Sequence, residues 1–179
     1  DQADRTVSFT YDKKHNLISI TDPMGIAVAR NEYDDDGRLV ATIDADGNRM
    51  EYEHDVDGRS EIIKDRRGNT TLYTYDDNGN VLQTVDAYGN KTTNTYDSYN
   101  NLLSTTDANG NTTSFKYDES GNVTSVTAAD GVTVKSTYTQ ENLVSSIKML
   151  DKTVMTMSYD SDERLSSIED ANGNETTYS

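Results

Sequence analysis

Apolar and polar residues alternate along this chain in runs of five or six, and a polar segment, usually carrying glycine, interrupts them about every ten residues. Thr70-Thr71-Leu72-Tyr73-Thr74-Tyr75 and Val81-Leu82-Gln83-Thr84-Val85 show the pattern, rich in β-branched and aromatic residues. Strict alternation places Tyr73 and Tyr75 on one face, and likewise Val81 and Val85. A 3.6-residue apolar period survives in no window, because a turn cuts every one. Strands are therefore predicted throughout, and no helix.

The interruptions are themselves regular. Asp65-Arg66-Arg67-Gly68-Asn69 and Asp76-Asp77-Asn78-Gly79-Asn80 share the form Asp-x-x-Gly-Asn. An aspartate opening a type I turn accepts a hydrogen bond from the backbone two residues on, and glycine supplies the left-handed residue that lets the strand resume through a bulge. Two turns per unit imply two strands per unit, a β-hairpin.

An anchor marks each unit. Tyr11-Asp12, Tyr33-Asp34, Tyr75-Asp76, Tyr96-Asp97, Tyr117-Asp118 and Tyr159-Asp160 recur, with His54-Asp55 and Tyr138-Thr139 in the two remaining slots. Successive anchors lie 22 residues apart once and 21 thereafter. Fourteen residues after each anchor stands Gly25, Gly47, Gly68, Gly89, Gly110, Gly131, Lys152 or Gly173. Four residues after it stand Gly37, Gly58, Gly79 and Gly121, with His15, Asn100, Asn142 and Glu163 in the other units. A fixed period near 20 residues is the mark of a repeat array, in which each unit leans on its neighbours.

This motif, seen almost complete from Asp107 through Gly110, Asn111, Thr112, Phe115, Tyr117, Asp118, Gly121 and Asn122 to Val123, resembles the YD-repeat family, also called RHS repeats. Bacterial Rhs toxins, wall-associated proteins, toxin-complex C components and teneurins carry such repeats. The resemblance covers essentially the whole chain. It implies a long, curled antiparallel sheet, a segment of a hollow spiral shell, and residues 1–179 as a single array of about 8.5 repeats from a longer protein. Eight and a half units predict about seventeen strands. Open twisted sheets rarely exceed about ten without curling.

The resemblance further implies a non-catalytic structural wall that encapsulates a C-terminal toxin or effector domain. Its partners would be the remaining repeats and that enclosed domain, in a secreted or cell-surface bacterial setting. The alternative is an extracellular adhesion or carbohydrate-binding repeat surface, with glycans as partners.

Composition changes the picture only at the margins. Leu, Ile, Val and Phe make up about 17% of the chain, and the net charge is −16, a combination usual for disorder. Twelve tyrosines and a strict turn pattern are what disordered chains lack. The acidic excess would repel nucleic acid and anionic membrane surfaces, so neither is expected as a partner of this segment. With no cysteine there is no thiol nucleophile, disulfide or thiolate metal site.

Candidate chemistry is thin. Asp34-Asp35-Asp36-Gly37, Asp44-Ala45-Asp46-Gly47 and Asp55-Val56-Asp57-Gly58 look like fragments of calcium loops, but Gly47, though followed by Glu53, is preceded by Thr42 at a ligand position, and Gly37 and Gly58 have Ile43 and Lys64 where a glutamate is needed. Turn aspartates bonding their own backbone explain them better. His15 fills a turn slot and His54 an anchor slot, so both read as repeat variants. Asp22-Pro23-Met24-Gly25 reads as an ordinary turn, and no cleavage site is carried over to it. Asn69, Asn90, Asn111, Asn122 and Asn174 open Asn-x-Thr sequences that the repeat pattern already demands. No catalytic, cofactor-binding or metal residue is expected, no cofactor is implied, and no substrate-binding residue can be named.

Three structural expectations remain. Leu17, Leu39, Val81, Leu102, Val123, Val144 and Leu165, six positions after each anchor, should interleave with the tyrosines, with Ser60 breaking the line. Ala128 and Met149 in aspartate slots and Lys152 and Glu163 in glycine slots suggest weaker pairing or enlarged loops near residues 139–165. Finally, Asp1 and Ser179 stand where strand edges of a longer ladder would fall, which predicts end-to-end pairing between chains.

Overall fold

The computed structural model describes residues 6–178, and the turn position expected at Asp4 and the edges expected at Asp1 and Ser179 lie outside them. The chain forms two compact units that divide between Lys91 and Thr92. The first contains β1 (Ser8–Tyr11), β2 (Leu17–Thr21), β3 (Ala27–Tyr33), β4 (Leu39–Asp44), β5 (Arg49–Asp55), β6 (Ser60–Lys64), β7 (Thr70–Tyr75) and β8 (Val81–Val85). β9 (Lys91–Tyr96) opens the second, followed by β10 (Leu102–Thr106), β11 (Thr112–Tyr117), β12 (Val123–Thr127), β13 (Thr133–Tyr138), β14 (Val144–Met149), β15 (Lys152–Tyr159), β16 (Leu165–Asp170) and β17 (Glu175–Thr177). Within each unit every strand pairs antiparallel with the next in sequence. The all-β architecture of tandem hairpins is thus the one expected.

Register explains the 21-residue period. Each tyrosine anchor closes its strand opposite the residue six positions on: Tyr33 pairs with Leu39, Tyr75 with Val81, Tyr117 with Val123 and Tyr159 with Leu165. The interleaved aliphatic layer is therefore present. One residue beyond each such pair the register slips, as between Thr74 and Tyr75, so that Val81 and Leu82 together oppose a single residue.

That bulge corrects one expectation. Val81 pairs with Tyr75, and Val85 with Leu72, three residues earlier in the same regular strand. Val81 and Val85 consequently face opposite sides. The second rung on the tyrosine face instead falls nine residues after the anchor, where Val126 opposes Phe115 and Ile168 opposes Met157.

Burial is slight, because the sheet in each unit is a single layer. Among the described residues only Ala41, at 0% exposure, and Ser167, at 9%, are buried. Ala41 sits between its register partners Glu32 and Glu51. The Arg49 guanidinium joins both carboxylates, at 2.8 and 3.1 Å, and Lys64 continues the line to Glu51 at 2.8 Å. The methyl group is thus sealed by ion-paired side chains rather than by a second layer.

Besides the β2–β3 ladder, where the register slips at Val28, two hairpins depart from the pattern. In the third, Gly58 does not take the left-handed conformation; Arg59 does, at φ 50°. The β5–β6 pairing runs through Asp55 opposite Ser60 with no register slip, and a four-residue loop closes it. Gly58 is needed for room instead, since a Cβ there would stand 2.2 Å from an Asp55 carboxylate oxygen.

The other departure lies between β14 and β15. Met149 pairs with Lys152 across Leu150 and Asp151, both at positive φ (51° and 61°), the requirement of a two-residue type I′ turn. The expected loosening near residues 139–165 is thus replaced by a shorter turn and longer strands.

Candidate functional site

The repeated unit itself is the most elaborate arrangement in the molecule, and its turn is closed by five hydrogen bonds. Asp65 Oδ1 accepts from the backbone N–H of Arg67 and of Asn69, each at 2.8 Å, and Asp65 Oδ2 accepts from Asn69 Nδ2 at 2.9 Å. Two backbone bonds complete it, Gly68 N–H to Asp65 O at 3.0 Å and Asp65 N–H to Asn69 O at 2.8 Å. The same set recurs around Asp76, Asp86, Asp97, Asp107, Asp118 and Asp170. The Asn side chain, with backbone N–H groups, holds each of these carboxyls below the ordinary carboxylate range. His15, Asn100, Asn142 and Glu163 take the left-handed slot at φ 61–67°, so non-glycine residues keep the turn geometry.

Tyrosine contributes a tether that the sequence pattern alone did not reveal. Tyr33 Oη donates to the carbonyl of Leu17 at 3.1 Å, Tyr117 to Leu102 at 2.9 Å, Tyr138 to Val123 at 2.7 Å and Tyr159 to Val144 at 2.9 Å. Each acceptor opens the second strand of the preceding hairpin. Between β10 and β11 the ladder starts only at Ser104 opposite Ser114, so the Leu102 carbonyl lies beyond its last rung. The hydroxyl thereby satisfies a carbonyl where two hairpins splay, and it crosses from one repeat to the next. The available signal was that every non-histidine anchor is tyrosine and none phenylalanine.

His54 fills the same role. Its Nε2 lies 2.7 Å from the Leu39 carbonyl, which only accepts, so Nε2 carries the hydrogen. Nδ1 lies 3.1 Å from Glu61 Oε1, and Glu61 Oε2 accepts from Tyr75 Oη at 3.1 Å. Desolvation, followed by the Glu61 charge, pushes the Tyr75 phenol above its usual range. Ser60 lines the same cleft of about 200 Å³. Both imidazole nitrogens thus face oxygen atoms of other residues, the Leu39 carbonyl and the Glu61 carboxylate.

Turns of successive hairpins also touch. Asn122 Nδ2 donates to Asn142 Oδ1 at 2.7 Å and Arg66 pairs with Asp44 at 2.9 Å, while Lys14 reaches the Asp35 carbonyl and Arg59 reaches Asp77. The acidic runs behave as turn aspartates: Asp44 Oδ1 accepts from the N–H of Asp46 and Asn48, and Asp55 Oδ1 from that of Gly58. Among the described residues no group of three or more His, Asp or Glu side chains is placed to hold a metal ion.

Between the turn ends of neighbouring hairpins in the second unit lies a wider cleft of about 1070 Å³, floored by Leu103, Phe115 and Tyr117. Tyr99 stands at its rim, 83% exposed.

A single-layer ladder of hairpins, closed by aspartate clamps and joined by tyrosine tethers, defines a β-hairpin repeat array. The RHS Repeat family matches residues 33–64, 60–91 and 96–133, more than half of the chain, and the protein belongs to that family. The fold is similar to part of the crystal structure of TcdB2-TccC3-Cdc42, at 14% identity and a TM-score of 0.50, over 93% of this chain and 14% of that one. A Tc holotoxin pore from Photorhabdus luminescens aligns at 14% identity and a TM-score of 0.39, over 92% of this chain and 15% of that one. The chain thus spans about one seventh of the length of the solved chains it resembles. No curated protein matches it in sequence.

Proposed function

We propose that this chain is a non-catalytic wall segment of a secreted or surface-displayed bacterial RHS shell that encloses a C-terminal toxin or effector domain. Its partners are then further repeats and the enclosed domain. The observation that carries this reading is the single-layer sheet of each unit, in which, among the described residues, neither face carries a packed second layer while the turns and tethers close on themselves. Such a sheet suits a partition between two spaces better than a globule around a core. The anchor period of 21 residues passes from Tyr75 to Tyr96 without a break, which supports one array through residues 1–179.

Limited proteolysis of the whole parent protein tests it. The C-terminal domain should resist protease in the intact parent and become cleavable when residues 33–133 are deleted. A C-terminal domain equally accessible in both would refute enclosure.

A second reading, a glycan-binding adhesion surface, is favoured by Tyr88 and Tyr99, 89% and 83% exposed in their turns beside carboxylates. Binding to a glycan panel that is lost on Tyr88→Ala/Tyr99→Ala substitution would support that reading.

A further inference from the structure

The turn that breaks the repeat pattern between β14 and β15 carries a side chain that nothing local requires. Leu150 occupies the first central position of a type I′ turn, at φ 51°, where asparagine or glycine is strongly preferred. It is 71% exposed, and its neighbour Met149 is 42% exposed. Met24 and Tyr88 are also exposed in turns at this end of the strands, 81% and 89%, but neither stands at a positive φ as Leu150 does. Backbone strain combined with an exposed apolar side chain is a combination that folding alone does not favour.

Charge singles out the same tip. The chain carries a net charge of −16, yet Lys148 and Lys152 flank Met149-Leu150-Asp151, and Lys135 lies directly opposite Lys148 in the register. Lys135 pairs with Asp151 at 2.6 Å and Lys148 also acts on that carboxylate, so three lysines against one aspartate leave the apolar tip with net positive charge. The tip also lies outside the segments that match the family.

A complementary surface exists on the same unit. The cleft floored by Leu103, Phe115 and Tyr117 is rimmed by Asp97, Asp118 and Glu119, against a single lysine, Lys116. Asp97 and Asp118 are kept ionised by the turn hydrogen bonds they accept. This apolar floor with an acidic rim matches an apolar tip with basic flanks. Because turns alternate ends along the ladder, the tip and the cleft sit at opposite ends of the strands. One chain therefore cannot fill its own cleft, whereas a second copy can.

We propose that Met149 and Leu150 of one copy dock in the Leu103–Phe115–Tyr117 cleft of another, with Lys148 and Lys152 facing Asp97, Asp118 and Glu119. The contact is heterologous, so it stacks copies along the strand direction rather than closing a dimer. It is independent of whether a domain is enclosed.

Sedimentation velocity over a wide concentration range tests it at low ionic strength. The wild type should associate progressively. Leu150→Asn removes the apolar tip while relieving the turn, so it should fold at least as well yet associate about tenfold more weakly. Lys148→Glu and Glu119→Lys should each weaken association about tenfold, and combining them in one chain should restore it to within about threefold of wild type. A monomeric wild type, unchanged association in Leu150→Asn, or a double swap no better than the singles would overturn the proposal. So would binding of the wild type, but not Leu150→Asn, to phosphatidylserine–phosphatidylcholine vesicles without self-association, since the tip would then serve a membrane surface.

Discussion

Replacing Tyr117 by phenylalanine isolates the tether between repeats from the packing of the ring. The ring and its contact with Val123 across the register remain, and only the 2.9 Å donation to the Leu102 carbonyl is lost. A net hydrogen bond contributes about 0.5–1.5 kcal/mol, and an acceptor left buried without a partner costs about 1–3 kcal/mol. Leu102 is only half-buried, so water partly re-solvates its carbonyl and the expected cost is about 1 kcal/mol. In a chain of this length that lowers Tm by about 2–4 °C. Tyr117→Ala adds the loss of a half-buried ring and should cost about 2–3 kcal/mol, less than truncation of a fully buried aromatic.

Repeat arrays need not unfold in one step, so urea denaturation should be paired with amide hydrogen exchange. Faster exchange at Ser104 and Ser114, which form the adjacent rung, is expected in Tyr117→Phe. Tyr99→Phe, at an 83% exposed turn position, is the control and should change stability by less than about 0.5 kcal/mol. If Tyr117→Phe proved indistinguishable from that control in both measurements, the tether would contribute nothing and the inter-repeat argument would fail.

Acid should unfold the array through its turns. Ten turn aspartates, namely Asp12, Asp34, Asp44, Asp65, Asp76, Asp86, Asp97, Asp107, Asp118 and Asp170, have lowered folded-state values, so their contribution is complete above the unfolded carboxylate range and disappears as pH falls through the lowered values. Tm should be level above about pH 5 and fall steeply below about pH 4, and a level profile down to about pH 3 would contradict the clamp. Gly68→Val places a β-branched residue at φ +84° and should cost about 1–2 kcal/mol, whereas Gly58→Ala should destabilise through contact with Asp55, which Asp55→Ser would relieve; thermal melts of the single and double variants distinguish the two causes. Leu150→Asn should stabilise by about 0.5–1 kcal/mol by relieving the type I′ turn, and a lower melting temperature would show that Leu150 packs within its own chain.

Much of this architecture is local and was legible from residue order. Asp-x-x-Gly-Asn closes on itself within five residues, so turn positions, strand lengths and the pairing of Tyr75 with Val81 follow from spacing alone. The bulge at Leu82 did not, because a one-residue slip leaves composition unchanged and is decided by how the turn hands the strand back to the ladder. That slip moved Val85 to the other face. Gly58 looked like a turn glycine by position, yet hydrogen bonding through Asp55 and Ser60 transferred the left-handed residue to Arg59.

Lys152, read as a lost glycine, marks a different turn two residues long. The tyrosine tether and the ion-paired cover over Ala41 join residues from separate strands. Sequence set the repeating unit because its bonds lie within a few residues of one another. Only the tertiary structure decided how units are joined, since the tyrosine tethers reach across 15 or 16 residues and depend on strand register and splay.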